Sequence, residues 1–241
     1  MTNDTARGGK AVYGAPLGIL MLDTRFPRVP GDMGNAATWP FPVLYHVVPG
    51  ATAEKVVLRG AEGLLPDFIA AARHLVHLGA EAIATTCGFL SVFQAEIAAA
   101  VCVPVAASAL LQVPWVQAML PPGRRVGVVT VSAASLSAAH LLAAGAAADT
   151  PVAGVDPEGE LFRVLVRAEK PDLDPARAER DVVAAGCALM ARYPEVGAVV
   201  LECTNMPPYA ASLSVALGLP VYDAYSMIAW LHAGLRPRAF G

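Results

Sequence analysis

The sequence has few charged and few aromatic residues, and this scarcity excludes several classes of protein. Charged residues make up 15% of the 241 positions, and the formal net charge is -3. A nucleic-acid-binding protein would show a basic stripe, which this nearly neutral chain lacks. Aromatic residues, at 7%, are too few for a surface on which bases stack. Hydrophobic residues are plentiful at 56%, enough for the core of one large domain or two small ones.

Cysteine is scarce as well, with four in the chain. Together with a polar start that lacks the apolar core of a signal peptide, this predicts free thiols in the cytoplasm. We expect residues 1–14 to form a disordered tail. The uncharged run at 126–148 contains serine, threonine and histidine and divides into a strand and a helix, so we expect no membrane association.

Predicted strands and helices alternate along the chain, which is typical of parallel sheets flanked by helices. Helices are predicted over 62–78, ending at Gly79, and over 175–192, where Asp174 is the N-cap and Pro175 the first helical residue. Strands are predicted at 17–22, 43–48, 103–106, 125–131, 151–155 and 220–222, and before both Cys87 and Cys203. The fold class is therefore α/β.

Two of the cysteines occupy matching places in a repeated pattern. Cys87 and Cys203 are 116 positions apart, and Pro104 and Pro220 have the same separation. Each cysteine ends a short apolar run, as expected for a buried strand followed by a loop at the carboxyl edge of a sheet. The repeat predicts two pseudo-symmetric lobes with a cleft between them. We assign 15–112 plus 219–241 to the lobe with Cys87, and 113–218 to the lobe with Cys203.

Two thiols that face each other across a substrate carbon can invert it. One thiolate removes a proton from one face and the other thiol donates a proton to the opposite face. Backbone amides at the starts of the following helices favour the thiolate form. We therefore predict Cys87 and Cys203 as the catalytic acid and base, acting with no cofactor and no metal.

The sequence resembles the aspartate/glutamate racemase superfamily, a cofactor-independent group. The resemblance rests on the residues at 84–87 (ATTC), at 202–205 (ECTN) and at 31–38 (GDMGNAAT), and on their spacing. It implies two α/β lobes that each contribute one cysteine to a shared cleft. Amino-acid racemases usually have Asn-Thr after the first cysteine, where this chain has Gly88-Phe89, and a small residue before the second, where it has Glu202.

Other residues are predicted to bind substrate because they lie near the thiols, at the ends of the first strand of each half, or in the loop at 31–38. The predicted substrate-binding residues are Asp23, Arg25, Asn35, Thr86, Gly88, Thr130, Ser132, Thr204 and Asn205. Arg28 is a further candidate for a carboxylate clamp. Alternation along a strand points Glu202 away from Cys203, which favours a buried, paired structural role over that of a general base. Cys102 and Cys187 lie in apolar segments and are expected to be buried.

These observations predict a racemase or epimerase that acts on a carbon acid centre next to a carboxylate, in an amino acid or a derivative. The partner is a small carboxylate, with no nucleic acid and no membrane, and we expect a homodimer. A maleate-type cis-trans isomerase with Cys203 as nucleophile is the nearest rival hypothesis, since the residues at 203–206 (CTNM) resemble that enzyme. The presence of Cys87 argues against an arylmalonate decarboxylase. Two more distant hypotheses are a non-catalytic module that binds small acids and a redox pair of thiols.

Overall fold

Residues 8–240 are described by the computed structural model, and they form two four-stranded parallel sheets flanked by helices. The strand order is β2-β1-β3-β4 in the first sheet and β6-β5-β7-β8 in the second. Both sheets thus have the same topology, with the first strand of each half in a central position. The predicted α/β class and its division into two similar halves are confirmed.

The first sheet contains β1 (Leu17–Leu22), β2 (Val43–Val48), β3 (Ala82–Thr85) and β4 (Val105–Ala106). Helices α1 (Leu65–Leu78) and α2 (Gln94–Ala100) pack beside this sheet, whereas α3 (Gln112–Met119), which follows β4, contacts strands of the second sheet. Short 3-10 turns lie at Ala36–Thr38, Gly88–Phe93 and Ala109–Leu111, and a π-helical turn lies at Glu54–Leu58. Helix α1 begins three residues later than predicted and ends before Gly79, whose φ of 130° favours glycine.

The second sheet contains β5 (Arg125–Thr130), β6 (Val152–Gly154), β7 (Val196–Leu201) and β8 (Val221–Tyr222). Its helices are α4 (Ala138–Ala143), α5 (Glu160–Leu165), α6 (Pro175–Arg192) and α7 (Ala210–Leu217), with a 3-10 turn at Pro207–Tyr209, and α8 (Ala224–Leu235) follows β8. The predicted cap of α6 is confirmed, because Asp174 Oδ1 accepts hydrogen bonds from the backbone at 176 and 177. The run at 126–148 divides into β5 and α4 as predicted, and within residues 8–240 no helix has the length and apolar character to span a membrane.

A glycine in the first strand of each half lets a helix pack closely onto the sheet. A Cβ atom on Gly18 would lie 3.1 Å from Leu75 of α1, and one on Gly127 would lie 2.6 Å from Leu189 of α6. Both distances are shorter than ordinary van der Waals contact, so a larger residue at either position would require the neighbouring leucine to shift. The two halves therefore repeat a packing contact as well as a strand order.

The segment at 219–241 divides between the two halves. Its strand β8 pairs with β7 in the second sheet, which corrects the assignment of that strand to the first lobe. Only a short turn separates α7 from β8, so the strand adds to the nearest free edge. Helix α8 contacts the first half instead: Gln112 Nε2 donates to Asp223 O at 2.8 Å, and Tyr225 stacks on Trp39 with centroids 5.6 Å apart.

Two local expectations are wrong. The part of the predicted tail that is described contacts the first half, since Val12 N donates to Leu78 O at 2.7 Å and Lys10 pairs with Glu81. Residues 1–7 of that tail lie outside the described residues. Cys102 and Cys187 are both exposed, the first in a bend after α2 and the second on the outer face of α6. The sequence neighbours of both cysteines are apolar, but both side chains are exposed because each points away from the sheet.

Candidate active site

Cys87 and Cys203 lie just past the carboxyl ends of β3 and β7 and line the same cavity. They are 8% and 7% exposed, and neither forms a disulfide. The space open to the centre of a water molecule is about 20 Å³, which is room for about one water molecule. The site is therefore too small for a substrate unless the surrounding side chains move apart.

Hydrogen bonds tie the two thiol-bearing loops together. Thr204 Oγ1 donates to the carbonyl oxygen of Thr86 at 2.7 Å, across the boundary between the halves. Thr86 Oγ1 in turn accepts from Leu22 N at 3.1 Å, at the end of β1. These contacts fix the two loops, and with them the thiols, relative to each other.

A buried chain of polar groups connects the loop of the second thiol to the glycine-containing loop of the first half. Cys203 Sγ lies 3.5 Å from Asn205 Oδ1, and Asn205 Nδ2 donates to Asp32 Oδ2. Asp32 Oδ1 accepts from Arg28 Nη1 at 2.8 Å, and Arg28 Nη2 donates to Thr24 Oγ1 at 2.9 Å. The chain places one guanidinium group at the cavity that both thiols line.

Glu202 lines this cavity too, and the burial and pairing predicted for it are confirmed. Alternation does not apply to it because β7 ends one residue earlier, at Leu201. Glu202 is completely buried, and its Oε2 accepts a hydrogen bond from Thr130 Oγ1 at 2.7 Å. Among residues 8–240, no group hydrogen-bonds to Oε1. Burial raises the pKa of Glu202 to about 7, against a smaller lowering by Thr130.

Both thiols ionise with difficulty in this environment. Burial raises the pKa of Cys87 and of Cys203 well above the ordinary thiol value, and the nearby Glu202 carboxylate raises both further. The backbone N–H groups of Phe89 and Asn205 act in the opposite direction, each on the thiol two residues before it. Formation of a thiolate in this cavity therefore requires that another negative charge there be neutralised.

A wider cavity of about 490 Å³ adjoins the first and shares four of its lining residues. The shared residues are Phe26, Ala53, Leu165 and Val166. Asp23 and Arg25 line only the wider cavity, and the Arg25 side chain is 94% exposed. Of the two arginines considered for a carboxylate clamp, Arg28 is thus the one that reaches the thiols.

The structure brings some of the predicted substrate-binding residues to the thiols and leaves others apart. Those that line the thiol cavity are Thr86, Gly88, Thr204 and Asn205. Three others have structural partners: Thr130 bonds to Glu202, Ser132 Oγ donates to Ser135 Oγ at 2.9 Å, and Asn35 Nδ2 donates to Arg28 O at 2.8 Å. The sequence reasoning missed the apolar wall formed by Phe26, Val57, Leu165 and Val166. These residues come from separate loops and short helices, and no local pattern marks them.

The fold and the site define an α/β protein of two similar halves, each of which brings one thiol to a shared cavity. The chain belongs to the Asp/Glu/hydantoin racemase family, whose family model matches residues 66–232. Crystal structures with the same fold include arylmalonate decarboxylase, with a TM-score of 0.59 at 16% identity, covering 92% of this chain and 94% of that one. Glutamate racemase isoform RacE1 from Bacillus anthracis has a TM-score of 0.54 at 13% identity, covering 92% and 83%.

Curated relatives carry a different name. Dimethylsulfoniopropionate lyase of Durusdinium sp. clade D is 30% identical over 220 residues, which cover 87% of this chain and 71% of that protein. Dimethylsulfoniopropionate lyases 6 and 5 of Emiliania huxleyi (strain CCMP1516) are 30% and 29% identical over 231 and 234 residues. These matches cover 86% and 90% of this chain but only 56% and 45% of those relatives' lengths.

Proposed function

We propose that this protein is a cofactor-independent lyase that cleaves dimethylsulfoniopropionate, or a closely similar sulfonium carboxylate, by proton removal next to the carboxylate. The observation that carries this proposal is the pair of buried thiols at one cavity, in a chain 30% identical to a lyase of that name over 87% of its length. The expectation of an amino-acid racemase gives way to a lyase because those relatives are lyases, whereas the racemase likeness in structure is one of fold.

The chemistry matches what two thiols can do. One thiolate removes a hydrogen from the carbon next to the carboxylate, and the C–H electron pair becomes the new C=C bond. The bond between the next carbon and sulfur breaks, with its electron pair going to sulfur, so that acrylate and neutral dimethyl sulfide leave. The base ends as a thiol and must lose that proton before the next turnover.

The lining of the cavity suits both ends of such a substrate. Arg28 supplies a positive charge near the thiols, which stabilises the negative charge that grows on the carboxylate side as the proton leaves. The apolar side chains of Phe26, Leu165 and Val166 cover the opening towards the wider cavity. Dimethyl sulfide is apolar and neutral, so this apolar wall favours its departure into the wider cavity.

Racemisation is the second candidate, and a specific observation favours it. The thiols come from the two halves of a repeated structure, which suits proton removal on one face and proton donation on the other. Elimination needs one base, whereas inversion needs both thiols.

The test incubates the protein with dimethylsulfoniopropionate and measures dimethyl sulfide in the headspace and acrylate by chromatography. A parallel incubation with amino acids and small dicarboxylates in D₂O is followed by NMR. Release of both products by the wild type, and loss of release in a Cys87→Ser, Cys203→Ser double variant, is the expected result. Deuterium at a stereocentre without sulfide release would overturn the lyase in favour of the racemase. A stable covalent adduct on Cys203 would favour the maleate-type isomerase.

A further inference from the structure

Glu202 is a buried acid that the chemistry above does not use, and it sits between the two thiol-bearing loops. A Cβ atom on Gly88 would lie 2.2 Å from Glu202 Oε1 and 2.5 Å from the Glu202 carbonyl oxygen. The carboxylate therefore fills the space beside the residue that follows Cys87, while its own backbone leads into Cys203. The glycine at 88 and the glutamate at 202, two departures from the racemase pattern, are complementary in shape.

Only one of the two oxygens of the Glu202 carboxylate is hydrogen-bonded within the described residues. Thr130 Oγ1 donates to Oε2, and within the described part of the chain Oε1 has no hydrogen-bond partner. A buried acceptor without a donor is costly unless it holds a proton of its own or faces a group that can donate one. Two such groups, the thiols of Cys87 and Cys203, line the same cavity.

The cavity therefore contains three acids with little water between them. Two negative charges in such a space repel each other strongly, so the three groups share about one charge. A carboxyl group is the strongest acid of the three and carries that charge first. The other charged groups near it are Arg28, which lines the cavity, and Asp32, which is paired with Arg28. His140 of α4 lies edge-on to the Phe89 ring, with centroids 5.3 Å apart.

We propose that Glu202 is the proton-holding residue of the thiol site: it carries the negative charge at rest, and its free oxygen accepts the proton when one thiol becomes a thiolate. The transfer moves one proton from sulfur to oxygen and keeps the charge of the cavity unchanged. The proposal rests on the proposed function, in which a thiolate has to form again after every elimination. The pKa of about 7 caused by burial lets the carboxyl group both take and release a proton near neutral pH.

Glu202→Gln tests the proposal because the amide keeps the shape and removes the charge. Each thiol's alkylation by iodoacetamide is measured from pH 6 to pH 10 by peptide mass spectrometry, with the exposed Cys102 and Cys187 as internal controls. Without the repelling carboxylate, alkylation of Cys87 and Cys203 at pH 8 should become about tenfold faster. Turnover should fall, because the amide cannot accept a proton. A purely structural role would not move these two readouts in opposite directions.

Two further measurements keep the test decisive. Thr130→Val leaves the carboxyl group in place and removes the hydrogen bond that lowers its pKa, so the midpoint of the pH–rate profile should move upward. In wild-type protein labelled with ¹³C-glutamate, one carboxyl resonance missing from Glu202→Gln should titrate near pH 7. If no glutamate carboxyl resonance of the wild type titrated near pH 7, the proposal would be overturned even if the variant failed to fold.

The outcomes separate this proposal from the lyase activity. Unchanged or slower alkylation in Glu202→Gln overturns the proton-holding role, and so does full turnover in that variant. If the wild type releases no dimethyl sulfide but alkylation and the ¹³C titration behave as expected, then the proposed function fails and the proton-holding role stands.

Discussion

The loop that carries Cys87 and the loop that carries Cys203 leave equivalent strands, yet the residue before each cysteine differs. Thr86 accepts a hydrogen bond from Leu22 N in the first half, and its side chain is neutral. Glu202 holds the same place in the second half, with one oxygen bonded to Thr130 and the other without a partner among the described residues.

The two loops place their thiols at equivalent positions, but the charge on the residue before each thiol differs. Both loops begin with the same backbone contact, since Thr86 N donates to Leu20 O and Glu202 N donates to Val129 O, each at 2.9 Å. The second half then adds an ionisable group where the first has a hydroxyl. A symmetric scaffold thus holds an asymmetric pair of acid–base groups.

The largest effect is expected from removing the thiols one at a time. General acid–base groups contribute about 10²- to 10⁴-fold to rates, and a serine hydroxyl is a far weaker base than a thiolate. We expect Cys87→Ser and Cys203→Ser to reduce kcat for sulfide release by unequal factors within this range, since elimination needs a single base. Equal losses would favour a symmetric, racemase-like use of the two thiols. Cys102→Ser and Cys187→Ser serve as controls and should leave kcat unchanged.

A second prediction uses pH to expose the asymmetry at Glu202. Its pKa is raised from 4.5 to about 7 in the folded protein, so the folded state holds this proton more tightly than the unfolded state. Stability from this group is fully present below pH 4.5 and is lost as the pH rises to 7, by about 3 kcal/mol. Urea unfolding of wild type and Glu202→Gln between pH 4.5 and 8 measures the difference. If the free energy of unfolding depended on pH in the same way in both proteins, the prediction would be contradicted.

A third prediction concerns the fit between the loops. Gly88→Ala should push the Glu202 carboxylate and backbone away, since both lie within 2.5 Å of the new methyl position. Overpacking of this kind costs about 1–3 kcal/mol, and turnover should fall as the thiols separate. Gly234→Ala in α8 is the matched control, because nothing lies within 4 Å of its Cβ position. Thermal melting and kcat of both variants check the prediction, and an unaffected Gly88→Ala protein would contradict the close fit.

The smallest effect is expected at the opposite end of β3. Glu81 binds Arg236 Nη1 at 2.6 Å and also pairs with Lys10, and these partners lower its pKa to about 2. The second half has Gly197 at the matching position, and the ion pairs at this end of its sheet join Arg125 to Asp149 and Glu195 instead. Because the pairs are partly exposed, Glu81→Gln should reduce stability at pH 7 by about 1 kcal/mol or less.

The stability due to Glu81 is present above pH 4.5 and is lost as the pH falls towards 2, opposite in sign to that of Glu202. Unfolding at pH 7 in low and high salt measures it, since salt screens partly exposed ion pairs. A loss that did not shrink in high salt would argue against an electrostatic origin.

Much of the architecture follows from local patterns in the sequence. Apolar runs such as Leu17–Leu22 form buried strands, Asp174 and Gly79 mark helix ends, and the 116-residue offset between Cys87 and Cys203 reports the duplication. These signals are readable because they depend on neighbours in the chain: alternation, capping and repeat spacing are local or periodic properties.

Only the tertiary structure decided which side chains meet at the thiols. Arg28 reaches the cavity and Arg25 does not, although they lie three residues apart, because the loop between β1 and β2 turns only one of them inward. Glu202 enters the cavity because its strand ends one residue early, and Cys187 faces solvent because of the rotation of α6. Contacts of this kind depend on how distant segments pack, so the sequence determined the scaffold and the thiols, and the packing determined the charge around them.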